Sequence, residues 1–105
     1  MSHPTAELSN VVHQRVRLGI LTVLRQVSRA DFGFLRDRLE LTDGNLSRNL
    51  AVLEESGYVT IDKAFEGKRP RTWVAITAEG SRALEDEVSA LRRLLSELDG
   101  GPNDA

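Results

Sequence analysis

Hydrophobic residues recur every three or four positions along most of the chain, a spacing that predicts four helices. The first covers residues 10–27, and so many of its positions are apolar that it should be largely buried. A shorter helix covers residues 32–39, with Asp31 as its N-cap. The third begins after Thr42, whose hydroxyl can cap it, and ends at Gly57, because glycine best tolerates the left-handed position that terminates a helix.

The third helix has two unlike faces. Leu46, Leu50 and Leu53 are spaced four and three residues apart, so they form one buried stripe. The opposite face carries small or hydrogen-bonding residues, namely Gly44, Asn45, Ser47, Arg48 and Ala51. Such a face is typical of a helix that lies against base edges and phosphates. With the helix before it, this is the arrangement of a helix-turn-helix, although an ordinary helical hairpin in a bundle would share the spacing.

Residues 58–65 have a period of two, and residues 72–76 form a second run rich in β-favouring side chains. The segment between them contains Gly67 and Pro70 and predicts a turn with a basic tip. A β-hairpin directly after the third helix argues against a simple helical bundle. Trp73 has two interpretations: a core anchor under the hairpin, which its strand position favours, or an aromatic ring that stacks on a base.

The fourth helix, residues 78–98 with Thr77 as its cap, is longer than so small a core requires. At 1.5 Å per residue it spans roughly 30 Å. Its apolar residues are spaced 4, 3, 4 and 3 apart and form the seam Leu84, Val88, Leu91, Leu95 and Leu98. Part of this seam should project and meet a partner, unless the helix folds back on the first helix.

Composition fits one ordinary globular domain: 105 residues, 40% hydrophobic and 29% charged, with no cysteine. The net charge of −2 excludes a globally basic nucleic-acid binder. Charge is nevertheless uneven, because residues 63–71 hold four basic residues and one acidic residue, whereas residues 79–105 hold seven acidic and three basic ones. The basic cluster coincides with the predicted hairpin tip, where it favours a binding edge over a merely solvated face.

The two stretches LTDGNLSRNLAVLEESGYV and IDKAFEGKRPRTWVAITAEG together resemble the recognition helix and wing of short MarR-like bacterial transcriptional regulators, with ArsR-type regulators as wider relatives. The resemblance covers residues 12–98. It implies a mainly α fold with a small β-hairpin wing (α+β), that is, a winged helix-turn-helix with a long C-terminal dimerisation helix. Four segments are expected: 1–9, flexible or partly helical with Pro4 near a helix start; 10–77, binding DNA; 78–98, dimerising; and 99–105, a disordered tail.

By the same resemblance, the chain is expected to be a sequence-specific double-stranded DNA-binding transcriptional regulator acting as a homodimer. We expect a repressor, but the sequence leaves the choice between activator and repressor open. The third helix would enter the major groove and the wing would reach the minor groove. The implied recognition-helix contacts are Thr42, Gly44, Asn45, Ser47, Arg48 and Asn49, the last lying toward the side of Leu46 and Leu53. The implied wing contacts are Lys68, Arg69 and Arg71. Asp43 could serve the helix dipole or accept from a cytosine amino group.

The overall acidity keeps one alternative open, a winged-helix protein-protein interaction module that does not bind DNA. An enzyme is not expected, because the sequence shows no phosphate-binding or nucleophile motif, and His3 and His13 have no carboxylate at metal-ligand spacing. No cofactor and no metal are expected, and the identity of any small-molecule effector is open. Without an 18-residue apolar run or a signal peptide, the expected location is cytoplasmic, away from the membrane.

Overall fold

The computed structural model describes residues 4–100, and the side chains of residues 13–100. The elements, in chain order, are α1 (Pro4–Gln26), β1 (Ala30–Asp31), α2 (Phe32–Arg38), α3 (Asp43–Glu55), β2 (Val59–Glu66), β3 (Arg69–Ile76) and α4 (Ala78–Leu98). This is the mainly α architecture with a hairpin wing and a long last helix that the sequence predicts.

Helix α1 begins at Pro4, six residues before the predicted start, so most of the segment expected to be flexible is helical. Proline suits the first turn of a helix, where its missing N–H has no intrahelical partner in any case. Residues 1–3, and the part of the predicted tail after residue 100, lie outside the described residues.

The predicted caps are confirmed. Asp31, Thr42 and Thr77 each accept a hydrogen bond from the backbone N–H three residues later, at 2.7, 3.1 and 3.0 Å. Gly57 ends the third helix with φ of +80°. Its N–H donates to the carbonyl of Glu54, and the next N–H donates to that of Leu53, the paired bonds that satisfy the last carbonyls of a helix. Local sequence chemistry therefore sets most helix boundaries.

The sheet has three antiparallel strands in the order β1-β3-β2. Strand β1 was not predicted, because two residues are too short to show a periodic pattern. The hairpin turn is also tighter than predicted: Glu66 pairs with Arg69, which leaves only Gly67, at φ of +64°, and Lys68 in the loop. Pro70 therefore lies within β3, opposite Phe65. Strand β1 does not extend that far, so the missing N–H of Pro70 costs no strand pairing.

The core lies where α1, α2 and α3 meet one face of the sheet. The predicted stripe of α3 is buried there, with Leu46 at 0%, Leu50 at 2% and Leu53 at 3% exposure. The remaining buried hydrophobic residues are Ile20, Leu21, Val23, Leu24, Ala30, Leu35, Val59, Val74 and Leu84. This core fixes α3 from behind and leaves its opposite face free.

A single junction joins the end of α3, the start of β2 and the start of α4. The N–H of Thr77 donates to the carbonyl of Tyr58 at 3.0 Å, and the Thr77 hydroxyl donates to the carbonyl of Gly57 at 2.6 Å. Gly80 packs so closely that a Cβ there would lie 2.1 Å from the carbonyl oxygen of Tyr58. Only glycine fits this approach, and the direction of α4 is set by it.

Helix α4 packs on the core with its first half only. Arg25 of α1 pairs with Glu85 at 2.7 Å. Beyond Val88, the apolar residues become increasingly exposed: Leu91 is 38%, Leu95 58% and Leu98 82% exposed. The projecting half that the sequence predicts is therefore present. Within residues 4–100, no helix is long and apolar enough to cross a membrane.

Candidate nucleic-acid interface

The exposed face of α3 carries Gly44, Ser47, Arg48 and Ala51. The Arg48 guanidinium reaches back along the helix, and its Nη1 lies 3.5 Å from the position that a Cβ on Gly44 would occupy. Arg48 forms no ion pair with any described residue. An uncompensated guanidinium over the first turn of a helix, beside its unpaired N–H groups, is a favourable site for a phosphate or a base edge.

At the start of α3, the side chains of Thr42 and Asp43 both form hydrogen bonds within the protein. The Thr42 hydroxyl is used as the cap. Asp43 accepts from Arg36 Nη1 of α2 at 3.0 Å, and the same guanidinium donates to Asp37 at 2.9 Å. The hydrogen bond to Asp37, followed by the one to Asp43, raises the pKa of Arg36. The Asp43 carboxylate therefore links the two helices of the helix-turn-helix, in addition to its favourable place in the dipole.

Asn49 faces the protein interior and is 1% exposed. Its Oδ1 accepts from Arg17 Nε of α1 at 3.1 Å, and its amide N–H groups donate to the backbone oxygen and to Oδ1 of Asn45, at 2.9 and 2.6 Å. The prediction that Asn49 contacts DNA is therefore wrong. The sequence holds the signal for this correction, since Asn49 lies three residues after Leu46 and four before Leu53, on the buried stripe. Asn45 remains half-exposed.

The predicted wing contacts differ in their surroundings. Lys68, in the turn, and Arg69 are exposed and form no ion pair with any described residue. Arg71 instead donates to Asp31 through Nε and Nη2, at 3.1 and 2.6 Å, and to both carboxylate oxygens of Glu66 at 2.8 Å. Arg71 thus joins β3 to the cap of α2 and to β2, and its charge is already matched within the protein.

Trp73 is half-buried and lies on the sheet face opposite the buried Val74. The guanidinium carbon of Arg29 lies 3.9 Å from the centre of its ring, and that of Arg71 lies 4.9 Å away. Trp73 is not among the residues that pack in the hydrophobic core, so the interpretation as a core anchor is wrong. The guanidinium of Arg29 already lies over the ring, and stacking of Trp73 on a base stays a prediction. Cation–π contact with Arg71 makes Trp73 part of the cluster that Arg71 forms with Asp31 and Glu66.

The predicted dimer seam divides into two parts. Leu84 is only 5% exposed and belongs to the core of its own chain, and Val88 packs against that core. The prediction that Leu84 lies in a dimer interface is therefore wrong. Leu91, Leu95 and Leu98 are exposed, and Leu94, which the seam omitted, is 58% exposed beside them. Four leucines on one short stretch of helix form an apolar patch of the kind that marks an interface.

A cleft of about 520 Å³ lies between α1, the second half of α3 and α4. Its apolar lining includes Leu18, Val52 and Leu91, and Arg17 and Glu87 lie at its wall. This space could not be predicted from the sequence, because its lining comes from three helices that are distant along the chain. A molecule bound in it would touch both α3 and the projecting half of α4.

Comparisons with known proteins agree with this geometry. A family model described as a winged helix DNA-binding domain matches residues 16–95. An uncharacterized protein of Methanocaldococcus jannaschii is 33% identical over 84 residues, which cover 80% of this chain and 91% of that protein. The structure of a transcriptional regulator homologue from Pyrococcus horikoshii is also 33% identical, with a TM-score of 0.74 over 90% of this chain and 98% of its own.

More distant structures share the fold. A PadR-like transcription factor from Bacteroides fragilis superposes with a TM-score of 0.82 at 15% identity, covering 90% of this chain and 96% of its own. A zinc-responsive MarR family member from Lactococcus lactis gives 0.60 at 15% identity, over 80% and 57%. The resemblance to MarR-like regulators is thus confirmed at the level of the fold, and the family model and the Pyrococcus structure indicate a regulator rather than an enzyme. The chain belongs to the winged helix DNA-binding domain family, as a short DNA-binding regulator with the fold of the PadR and MarR proteins.

Proposed function

We propose that this regulator is a sequence-specific repressor that binds double-stranded DNA as a homodimer, with α3 in the major groove and the wing at the minor groove. The observation that carries the proposal is the exposed face of α3, on which Arg48 is free of protein partners while the opposite face is locked into the core. The wing follows α3 directly and ends in the exposed cations Lys68 and Arg69. Such cations gain from the negative potential of a narrow minor groove.

The homodimer is supported by the apolar patch of Leu91, Leu94, Leu95 and Leu98. One winged helix reads few base pairs, whereas a two-fold dimer places two recognition helices on half-sites one DNA turn apart. Repression is the simpler mode of action for such an assembly. A dimer that covers its site excludes other proteins from it by occupancy alone, without a further surface that recruits them.

Recovery of bound fragments from a random DNA pool tests the proposal. The wild-type chain should enrich a two-fold symmetric motif. Arg48→Ala should weaken binding to that motif by about 1–3 kcal/mol, roughly 5- to 150-fold, and relax the preference at one base pair of each half-site. Arg82→Ala is the matched control, since it removes an exposed arginine from α4, away from the proposed interface. A wild-type pool without any enriched sequence would favour the protein-protein interaction module.

A further inference from the structure

A chain of hydrogen bonds runs from α1 to the recognition face of α3. Arg17 of α1 donates Nε–H to Oδ1 of the buried Asn49 at 3.1 Å. The amide nitrogen of Asn49 then donates to the backbone oxygen of Asn45 at 2.9 Å and to its side-chain Oδ1 at 2.6 Å. Within the described residues, no buried side-chain polar atom lacks a partner, so every buried polar side-chain atom of this relay is paired.

The direction of each bond in the relay is forced by chemistry. A guanidinium can only donate, so the oxygen of Asn49 must face Arg17. The nitrogen of Asn49 must then face α3, where a backbone carbonyl can only accept. Its second N–H requires another acceptor, and Oδ1 of Asn45 supplies it. The amide of Asn45 is consequently held with its oxygen turned toward Asn49 and its nitrogen turned away.

We propose that Arg17 and Asn49 are positioning residues that fix the amide orientation of Asn45, so that Asn45 presents N–H donors to DNA. This inference rests on the proposed function. A donor-only side chain favours the base edges that offer acceptors alone in the major groove, namely guanine N7 and O6 or thymine O4, over adenine, whose N7 acceptor lies beside a donor amino group. It disfavours the donor amino group of cytosine. It also cannot offer adenine the side-by-side donor and acceptor of a bidentate amide contact, because its oxygen is committed to Asn49.

The central test is the substitution Asn49→Asp, with random-pool selection as the readout. An aspartate still accepts from Arg17 but cannot donate to Asn45. The Asn45 amide should then turn its N–H groups toward the carboxylate and its oxygen toward DNA. At one position of each half-site, the preference should move from guanine or thymine to cytosine or adenine, by about fivefold or more. In an Asn45→Ala background this position should have no preference, and Asn49→Asp should change nothing there.

A second variant guards against failure of Asn49→Asp to fold. Arg17→Met keeps the apolar stem at this half-buried position and removes the donor, so both asparagine amides become free to rotate. We expect the preference at the same position to relax toward equality. Arg15→Met is the matched control, because it removes the neighbouring exposed arginine of α1 and leaves Asn49 untouched. In the free wild-type protein, NMR hydrogen exchange should be slow for the Asn49 side-chain amide and fast for that of Asn45.

The failures can be told apart. A wild-type pool with no enriched motif would remove both the proposed function and this inference. If the wild type enriches a motif that Asn45→Ala, Asn49→Asp and Arg17→Met leave unchanged at every position, the inference is overturned and the proposed function stands. The same holds if the position lost in Asn45→Ala prefers adenine or cytosine in the wild type, or if both asparagine amides exchange equally fast.

Discussion

Replacing Gly80 by alanine should destabilise the fold, although alanine is normally the better residue in a helix. The new Cβ would lie 2.1 Å from the Tyr58 carbonyl oxygen and 2.9 Å from its carbon, and both are backbone atoms. Relief requires α4 and β2 to separate by roughly 1 Å or more, since ordinary contacts begin near 3.5 Å. That movement stretches the bond from the N–H of Thr77 to the same oxygen, now 3.0 Å long.

The magnitude follows from three terms. Overpacking costs about 1–3 kcal/mol, and weakening the Thr77 bond adds about 0.5–1.5 kcal/mol. Helix propensity returns at most about 1 kcal/mol. We therefore expect Gly80→Ala to lower the free energy of unfolding by about 2 kcal/mol, and Tm by roughly 10 °C in a domain of this size.

Gly44→Ala is the matched control, because it too replaces a glycine in the first turn of a helix. Its Cβ would meet only the flexible end of Arg48 at 3.5 Å, an ordinary contact. Stability should rise by up to about 1 kcal/mol. DNA affinity should fall all the same, because the methyl group stands on the face that we place against DNA and holds the backbone away from it. One pair of variants thus separates the fold from the interface.

Thermal unfolding followed by circular dichroism, at one fixed protein concentration, measures both stabilities. The concentration must be fixed because any dimer makes Tm depend on it. Equal Tm values for Gly80→Ala and the wild type would refute the reasoning, since they would show that α4 can leave β2 without cost. A rise in Tm for Gly44→Ala with unchanged DNA affinity would instead place the start of α3 outside the interface.

Three further predictions concern the wing, the dimer and pH. Arg69→Ala should reduce the slope of log affinity against log salt by about one unit, whereas Arg71→Ala should act mainly on stability, measured by urea unfolding, because its charge is paired inside the protein. Leu91 and Leu95 replaced together by glutamate should yield monomers by sedimentation, with helices intact by circular dichroism and weaker DNA binding; a wild type that sediments as a monomer with and without DNA would contradict the dimer. Hydrogen bonds from the N–H of Phe34 and then from the side chain of Arg71 hold the pKa of Asp31 below its ordinary value. The Asp31 carboxylate therefore stabilises the fold fully above the ordinary pKa, and this contribution is lost as pH falls through the lowered pKa. Acidification should therefore destabilise the wild type more than Asp31→Asn, which keeps a capping side chain, and parallel urea curves for both proteins would show that the charge is irrelevant.

Local chemistry made much of the fold predictable from sequence. Caps such as Thr42 and Thr77 act over three residues, and Gly57 acts through its own backbone, so their effects can be predicted without knowing the fold. The stripe of α3 could be predicted for the same reason, since its period is a property of one helix. The very short β1 could not, because it exists only where β3 happens to lie beside it.

The candidate site was predicted less well, because acidic or polar partners far along the chain decide which of its cations are free to bind DNA. Arg71 and Asp31 are 40 residues apart, and Arg17 and Asn49 are 32 apart. Arg71 forms ion pairs and Arg69 does not. Nothing in the local pattern distinguishes them, since they lie two residues apart on the same face of one strand. Only the packing of β1 against β3 brings Asp31 beside one of them.

The junction at Tyr58, Thr77 and Gly80 also acts as the pivot of a lever. If two copies associate through the distal half of α4, each DNA-binding part is carried at the end of a helix about 30 Å long. The junction lies at the C-terminal end of α3, a helix of 13 residues that is about 20 Å long. A rotation of about 10° at the pivot would therefore displace the start of α3 by about 3.5 Å, roughly the 3.4 Å rise of one base pair. The tight contact of Gly80 with the backbone of Tyr58 would therefore act as a gauge of operator length. Substitutions that loosen it should broaden the range of half-site spacings that the protein accepts, before they change which bases it prefers.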